Sequence, residues 1–156
     1  MIIRSSIPGD EEALRAVCRR AILVSGRELY TPEELEAWAG FTADRKAFRD
    51  FLGTQRALVA VQEGRPVGFA GLGDDGYLAS LYVAPEHARR GIGAALVRRL
   101  LHTGRREGLK RFHAHASKVA LPLFQALGFT VLREEEVLRG GVPLLRYVVV
   151  REEATT

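Results

Sequence analysis

The chain has 156 residues, of which 47% are hydrophobic and 27% are charged, and its formal net charge is +4. This length suits one globular domain over residues 1–156 with a substantial core. The sequence contains no run of about 18 apolar residues, so it predicts no membrane-spanning helix. The single cysteine, Cys18, excludes an internal disulfide, and the first residues lack the apolar centre of a secretory signal. We therefore expect a cytoplasmic protein.

The chain begins with a predicted strand and helix. Residues 2–6 are rich in strand-forming residues, and a Pro-Gly turn separates them from a helix predicted over residues 11–25. Asp10 is the expected N-cap of this helix. Cys18 lies on its apolar face, and this position predicts core packing for the thiol.

A second helix carries a stronger start signal. Thr31 is a capping residue, Pro32 occupies the first helical position, and Glu34 stands three residues after the cap. This helix is expected to end near Gly40. A third, short helix is predicted over residues 42–52.

The second half of the chain is rich in predicted strands, which are separated by glycine-containing turns and by two further helices. These strands are predicted over residues 57–62, 66–72, 77–83, 111–116, 129–138 and 142–150. The two helices are predicted at about residues 91–107 and 117–127, and each is followed by a glycine. The three consecutive strands in front of the 91–107 helix are joined by tight turns and should be antiparallel.

The junction between the 77–83 strand and the next helix has the chemistry of an anion site. Pro85 ends the strand, and Gly91 and Gly93 allow a ligand to approach the backbone where the helix begins. The N–H groups of the first helical turn, together with the helix dipole, favour a bound anion. Arg89 and Arg90 add positive charge beside them. These features predict a phosphate or pyrophosphate ligand.

Two common phosphate-binding motifs do not fit this junction. The Rossmann fingerprint requires a third glycine, where this chain has Leu96, and an acid about 20 residues further on, where it has Lys110 and Arg111. A P-loop requires Gly-Lys-Ser/Thr, which the sequence lacks. Residues 81–96 combine Leu-Tyr-Val-x-Pro, a basic loop and a Gly-x-Gly helix start. This combination resembles the signature of the Gcn5-related N-acetyltransferase (GNAT) family.

The resemblance covers nearly the whole chain, because the predicted order of strands and helices is also that of the GNAT fold. It implies an α/β fold whose mixed, mostly antiparallel sheet has about seven strands, is flanked by helices and is splayed at the cofactor site. Residues 117–129 resemble the second cofactor motif of the family, with Ser117 in place of an asparagine and Phe124 in place of a tyrosine. Residues 30–38 resemble the first-helix region of a bacterial acetyltransferase subgroup.

The function implied by the resemblance is direct transfer of an acetyl group from acetyl-CoA to a primary amine of a small molecule or a protein. The arm of the cofactor would pair with the backbone of residues 81–83, and its pyrophosphate would lie on the N–H groups of residues 89–94. A backbone N–H near Val83 would stabilise the oxyanion. The implied cofactor-binding residues are Leu81, Tyr82, Val83, Arg89, Arg90, Gly91, Ile92, Gly93, Ala94, Ser117 and Phe124.

The general acid cannot be Phe124, because phenylalanine has no proton to donate. An alkyl thiol has a pKa of about 8.5, so a CoA thiolate can leave without full protonation. The alternative is that another tyrosine donates the proton, and the candidates are Tyr30, Tyr82 and Tyr147.

The candidate general base is His115. His113 and His115 alternate with apolar residues, so both face the same side of the 111–116 strand beside the cofactor gap. A histidine titrates near neutral pH and suits proton removal from an amine. The alternative is that both histidines lie on a solvated surface. Two histidines without a third ligand nearby in sequence do not predict a metal site.

The acceptor pocket is expected to involve the variable region that carries Tyr30 and Trp38, for which core packing is the alternative role.

Two other functions remain open: a CoA-binding sensor or interaction module with little turnover, and an RNA-associated protein. The second is suggested only by a cluster of basic residues, since nothing resembles an RNA-binding motif. A homodimer formed through a sheet edge near residues 142–150 is a further possibility. The basic cluster contains Arg89, Arg90, Arg98, Arg99, Arg105, Arg106, Lys110 and Arg111.

Overall fold

The computed structural model describes residues 1–154. Its strands are β1 (Ile2–Ser5), β2 (Arg56–Gln62), β3 (Arg65–Leu72), β4 (Tyr77–Val83), β5 (Arg111–Ala116), β6 (Thr130–Arg139) and β7 (Val142–Glu152). Its α-helices are α1 (Glu11–Arg20), α2 (Pro32–Ala39), α3 (Arg45–Gly53), α4 (Ile92–Arg106) and α5 (Leu121–Ala126). The predicted order of elements is confirmed, and every strand boundary lies within two residues of its prediction.

The strands form one sheet in the order β1-β2-β3-β4-β5-β7-β6. Neighbouring strands are antiparallel except for β4 and β5, which are parallel. These two strands pair only at Tyr77 with His113 and at Leu78 with Ala114. From residue 79 onward they diverge. The predicted α/β fold, with a mostly antiparallel sheet that splays between its central strands, is confirmed.

Apolar residues from the helices cover both faces of the sheet. Leu96 of α4 belongs to one cluster together with Ala70 of β3. Leu14 and Cys18 of α1 belong to a second cluster together with Phe69 of β3. Because adjacent residues of a strand point to opposite faces, the two clusters lie on opposite sides of the sheet. Cys18 is fully buried, as its place on the apolar face predicted.

The first helix differs from its prediction in two respects. It ends at Arg20, and the following residues, Ala21–Ser25, form a π-helical segment. Asp10 occupies the predicted N-cap position, but its side chain makes no capping hydrogen bond. Its carboxylate accepts two hydrogen bonds from Arg4, at 2.8 and 3.0 Å, and one from the Ile7 N–H at 2.9 Å. The Asp10 carboxylate binds the Arg4 guanidinium in place of the N–H groups of the first helical turn, because charge-assisted hydrogen bonds are stronger than neutral ones.

The starts of α2 and α3 show how local signals decide helix boundaries. Thr31 and Glu34 form the predicted capping box, with hydrogen bonds of 3.2 and 2.8 Å. The predicted start of α3 at Thr42 is wrong, because Asp44 caps that helix by accepting from the Lys46 N–H at 2.9 Å. Thr42 is buried and donates to the Ala39 carbonyl. Within residues 1–154 no helix is both long enough and apolar enough to cross a membrane.

The predicted sheet edge near residues 142–150 is also wrong. β7 lies between β5 and β6, and the two edges of the sheet are β1 and β6. β6 pairs with residues 142–150 of β7, and β5 pairs on the other side with residues 147–152 only. A partner chain that extended this sheet at an edge strand would pair with β1 or β6.

Candidate active site

A cavity of about 1170 Å³ opens where β4 and β5 separate. Pockets for single drug-sized ligands have volumes of about 300–1000 Å³, so this cavity has room for a large ligand and a second molecule. We call the part lined by residues 79–94 and 117–124 the helix half. The part lined by Tyr77, His115 and residues 137–146 is called the hairpin half. Other wall residues come from the π-helical segment, from α2 and from α3.

The helix half presents backbone groups to the cavity. Beyond Leu78, the described part of β4 has no strand partner on its β5 side, so this edge offers unpaired backbone groups. Helix α4 begins after Gly91 without a side-chain cap. The N–H groups of residues 92–94 therefore have no partner within the helix. An unpaired strand edge and an uncapped helix start thus line one continuous space.

The two glycines of this junction are required for different reasons. Gly91 has φ of 81°, a left-handed conformation that strains other residues, and the space around it is open. Gly93 has no such φ, but a Cβ there would lie 3.0 Å from Leu123 Cδ2 and 3.6 Å from Leu81 Cδ1. Arg89 also has a positive φ, 62°. The glycines therefore set the turn into α4 and allow α5 to pack closely against it.

The remaining predicted cofactor residues differ in their exposure to the cavity. Arg89 lines the cavity, whereas Arg90 is exposed in the same loop and is absent from the lining formed by residues 1–154. The Ser117 hydroxyl accepts from the Ala120 N–H at 3.1 Å and borders the cavity at the start of α5. Phe124 is buried but reaches the cavity wall. Its ring therefore contributes apolar surface and no proton.

The hairpin half contains a chain of four side chains. The Tyr77 hydroxyl lies 2.9 Å from His115 Nδ1. The other ring nitrogen, Nε2, lies 3.7 Å from Glu135 Oε1. Glu135 accepts a hydrogen bond from Arg146 Nε at 2.7 Å. A hydroxyl, an imidazole, a carboxylate and a guanidinium therefore follow one another, and Tyr77, His115 and Arg146 line the cavity.

The protonation states in this chain suit proton acceptance. Burial lowers the pKa of His115, the positive charge of Arg146 lowers it further, and Glu135 opposes both effects. The hydrogen bond from Arg146 lowers the pKa of Glu135, so this carboxylate is charged at neutral pH. Burial raises the pKa of Tyr77, and its hydroxyl keeps its proton. His115 is therefore neutral at pH 7 and available as a base.

Tyr77 lines the cavity beside His115, although the sequence did not single it out. It stands at the first position of β4, and the short parallel pairing with β5 sets its ring 5.2 Å from that of His113 and 5.4 Å from that of His115. The register between two parallel strands is not visible in the sequence. Unlike His115, His113 is not among the described residues that line the cavity.

The tyrosines considered as acids occupy different environments. Tyr30 is buried, its hydroxyl accepts from the Lys118 N–H at 2.8 Å, and its ring centroid lies 5.4 Å from that of Trp38. Tyr82 also lines the cavity, and burial raises its pKa well above the usual value. Tyr147 packs against the cluster under α4 and lies outside the lining formed by the described chain. Tyr30, Trp38 and Tyr82 therefore line the cavity, whereas Tyr147 is not among the described residues that line it.

Comparison with known proteins agrees with this geometry. Residues 27–151 match the family model of the acetyltransferase (GNAT) domain. The chain is 30% identical over 135 residues to YafP, an uncharacterized N-acetyltransferase of Escherichia coli, covering 86% of this chain and 85% of YafP. The structure of a Gcn5-related N-acetyltransferase from Rhodopseudomonas palustris superposes with a TM-score of 0.93 at 27% identity, covering 97% of this chain and 94% of that one.

A more distant structure shares the fold and contains a bound ligand. The PaiA N-acetyltransferase from Thermoplasma acidophilum, in complex with coenzyme A, has a TM-score of 0.77 at 19% identity and covers 97% of this chain and 98% of its own. The resemblance first seen in residues 81–96 is confirmed by the family model, by the relative and by the fold. The chain belongs to the GNAT family and is an N-acetyltransferase.

Proposed function

We propose that this N-acetyltransferase transfers the acetyl group of acetyl-CoA directly to a primary amine of a small molecule or a protein. One observation carries the proposal: the gap between β4 and β5 leads to the uncapped start of α4 within a single cavity. A strand edge suits an amide-containing arm, and a helix N-terminus suits the phosphates at its end. The coenzyme A complex of the Thermoplasma relative supports the same assignment.

The residues of the helix half fit this co-substrate. The backbone of Leu81, Tyr82 and Val83 would hold the arm along the open edge of β4. The N–H groups of residues 89–94 would hold the pyrophosphate, with the Arg89 side chain beside them. Ser117 and Phe124 would border the arm from α5. When bound, acetyl-CoA supplies the activated acetyl group that the amine attacks.

Tyr77 and His115 are proposed to remove the proton of the amine. With the ring proton on Nε2, that N–H faces Glu135, and Nδ1 accepts the hydrogen bond of the Tyr77 hydroxyl. The tyrosine oxygen takes the proton of the amine as it gives its own proton to Nδ1. The charged Glu135 partly offsets the burial and the Arg146 charge that disfavour the resulting imidazolium, so Nδ1 can hold the proton away from the reacting amine.

Amine-dependent release of CoA from acetyl-CoA, measured over a panel of primary amines, tests this proposal. Tyr77→Phe should lower turnover by about 100-fold or more and leave the rise in melting temperature caused by acetyl-CoA unchanged. Tyr147→Phe is the matched control, because this tyrosine does not line the cavity. Full turnover in Tyr77→Phe would overturn the assignment of the proton-accepting pair.

The same measurements separate the transferase from the alternative function of a CoA-binding sensor. Thermal stabilisation by acetyl-CoA without any amine-dependent release of CoA would overturn the proposed transfer and favour the sensor. Neither stabilisation nor turnover would overturn the placement of the co-substrate in the helix half.

A further inference from the structure

Two arginines of the β6–β7 hairpin line the hairpin half of the cavity. Arg139 is near the end of β6 and Arg146 is in the middle of β7. Residues 135, 137 and 139 of β6 share one face by alternation, and Arg146 is the direct partner of Glu135. Both positive charges lower the pKa of Tyr77 against the stronger raising effect of burial. The two guanidinium groups therefore share the hairpin half of the cavity with Tyr77.

The charge of these arginines is only partly neutralised by the protein. Glu135 pairs with Arg146 at 2.7 Å and with Arg133 at 3.7 Å, so one carboxylate serves two cations. Within residues 1–154, Arg139 forms no ion pair, and its guanidinium donates only to the Leu138 carbonyl, at 3.2 Å. Glu28, which precedes α2, is the single acidic residue in the described lining.

This surplus of positive charge selects among possible amines. A protonated amine without any other charge is repelled by both arginines as it approaches Tyr77. An amine that also carries a carboxylate or a phosphate gains charge-assisted hydrogen bonds, because guanidinium groups match the geometry of such anions. Val137 and Leu144 are direct partners across the hairpin and line the same wall. They offer apolar surface between the two arginines.

We propose that the acceptor amine carries an anionic group, a carboxylate or a phosphate, that is bound by Arg139 and Arg146, with its apolar part against Val137 and Leu144. This inference rests on the proposed transfer to an amine and names the chemical class of that amine. The hairpin half then discriminates acceptors by their second functional group, while Tyr77 and His115 act on the amino group itself.

Matched pairs of amines test the inference. Phenylalanine is compared with 2-phenylethylamine, and O-phosphoethanolamine is compared with ethanolamine, so each pair differs only in the anionic group. Two readouts are used: kcat/KM for acetylation, and the shift in melting temperature with CoA present. We expect the anionic member of at least one pair to be preferred by about 10- to 100-fold in kcat/KM, the effect of one or two charged hydrogen bonds, and to give the larger shift. The preferred pair distinguishes a carboxylate acceptor from a phosphate acceptor.

Arg139→Gln is the decisive variant, because Arg139 is exposed and removing its charge leaves the Glu135 ion pairs in place. It should reduce the preference by about tenfold, mainly through KM. Arg133→Gln is the matched control, since Arg133 also faces Glu135 but lies outside the described lining.

Two outcomes overturn the inference. The first is that charged and uncharged members of both pairs behave alike in the two readouts, and the second is that Arg139→Gln keeps the full preference. If the anion-dependent thermal shift is present and depends on Arg139 while no amine is acetylated, the anion site at Arg139 stands and the proposed transfer fails. The thermal measurement therefore distinguishes the failure of one from the failure of the other.

Discussion

The wall of the helix half comes largely from one nearly continuous stretch, residues 79–94, which contains the unpaired backbone edge of β4 and the uncapped start of α4. The wall of the hairpin half comes from residues of β4, β5, β6 and β7. Backbone groups depend on local conformation and tolerate many side chains. A site built from side chains changes its chemistry with each substitution. This difference suits a common co-substrate in the helix half and a chain-specific acceptor in the hairpin half.

Substitution of Gly91 or Gly93 by valine should have the largest effect on acetyl-CoA binding and turnover. It should disturb the helix half of the cavity and leave the hairpin half intact. Gly91→Val forces a β-branched residue into φ of 81°, at a cost of about 1–3 kcal/mol, and Gly93→Val crowds Leu123 and covers the first helical turn. We expect the rise in melting temperature with acetyl-CoA to disappear and turnover to fall below detection in both variants.

The matched control for Gly91 is Gly64 in the β2–β3 turn. It has φ of 75° and, like Gly91, open space around the position of a Cβ. Gly64→Val should therefore lower the melting temperature by a similar amount but keep the full response to acetyl-CoA. If the variants at positions 64 and 91 respond alike to acetyl-CoA, the co-substrate does not bind at the start of α4.

The second prediction breaks the hairpin half and concerns pH. Because burial lowers the pKa of His115, its neutral, proton-accepting form should dominate at pH 7. Turnover should then be lost as the pH falls through a pKa below the ordinary value of about 6.5. His115→Ala should flatten this acidic limb and lower turnover by about 100-fold, with the acetyl-CoA response unchanged. The charged and titratable groups around the His115 ring are Tyr77, His113, Arg133, Glu135 and Arg146.

His113→Ala is the control for this pH profile, since His113 stacks on Tyr77 from outside the described cavity lining. The acidic limb should persist in that variant. An identical limb in His115→Ala and in the unmodified chain would show that a different group takes the proton, and His115 would then be a surface histidine.

The third prediction concerns Tyr30 and Tyr82, two tyrosines that line the cavity. Tyr30→Phe and Tyr82→Phe should each lower turnover by less than about tenfold, because a thiolate leaving group with a pKa of about 8.5 needs no dedicated acid. The Tyr30 hydroxyl already accepts from the Lys118 N–H, and burial raises the pKa of both phenols. A loss of about 100-fold in either variant would identify that tyrosine as the general acid.

The smallest expected effect concerns the stability of α2, which contributes to the cavity wall. Thr31→Ala removes one half of the α2 capping box and should lower the free energy of unfolding by about 1 kcal/mol, or about 2–4 °C in melting temperature. Glu34→Gln is the control, because glutamine also completes a capping box. Both variants should keep the response to acetyl-CoA. A loss of that response in Thr31→Ala would show that the stability of α2 is coupled to acetyl-CoA binding in the helix half.

Much of the fold and of the helix half could be predicted because the sequence signals for their helices and turns are local. The capping box at Thr31 and the turn at Gly91 depend on residues within one or two turns of chain, so their meaning is visible in the sequence. The motif of residues 81–96 was sufficient to indicate the family for the same reason. The roles of individual residues in binding the co-substrate stay predictions.

What the sequence determined by itself was the set of strands and helices, most of their boundaries and the glycine turn into α4, since each depends on neighbours a few residues apart. Only the tertiary structure decided that Asp10 pairs with Arg4, that β7 is interior, and that Tyr77 meets His115. Strand order and parallel register are set by the packing of the whole sheet. Residues 38 positions apart, such as Tyr77 and His115, therefore come together without a local signal, and so do the hairpin arginines that face them.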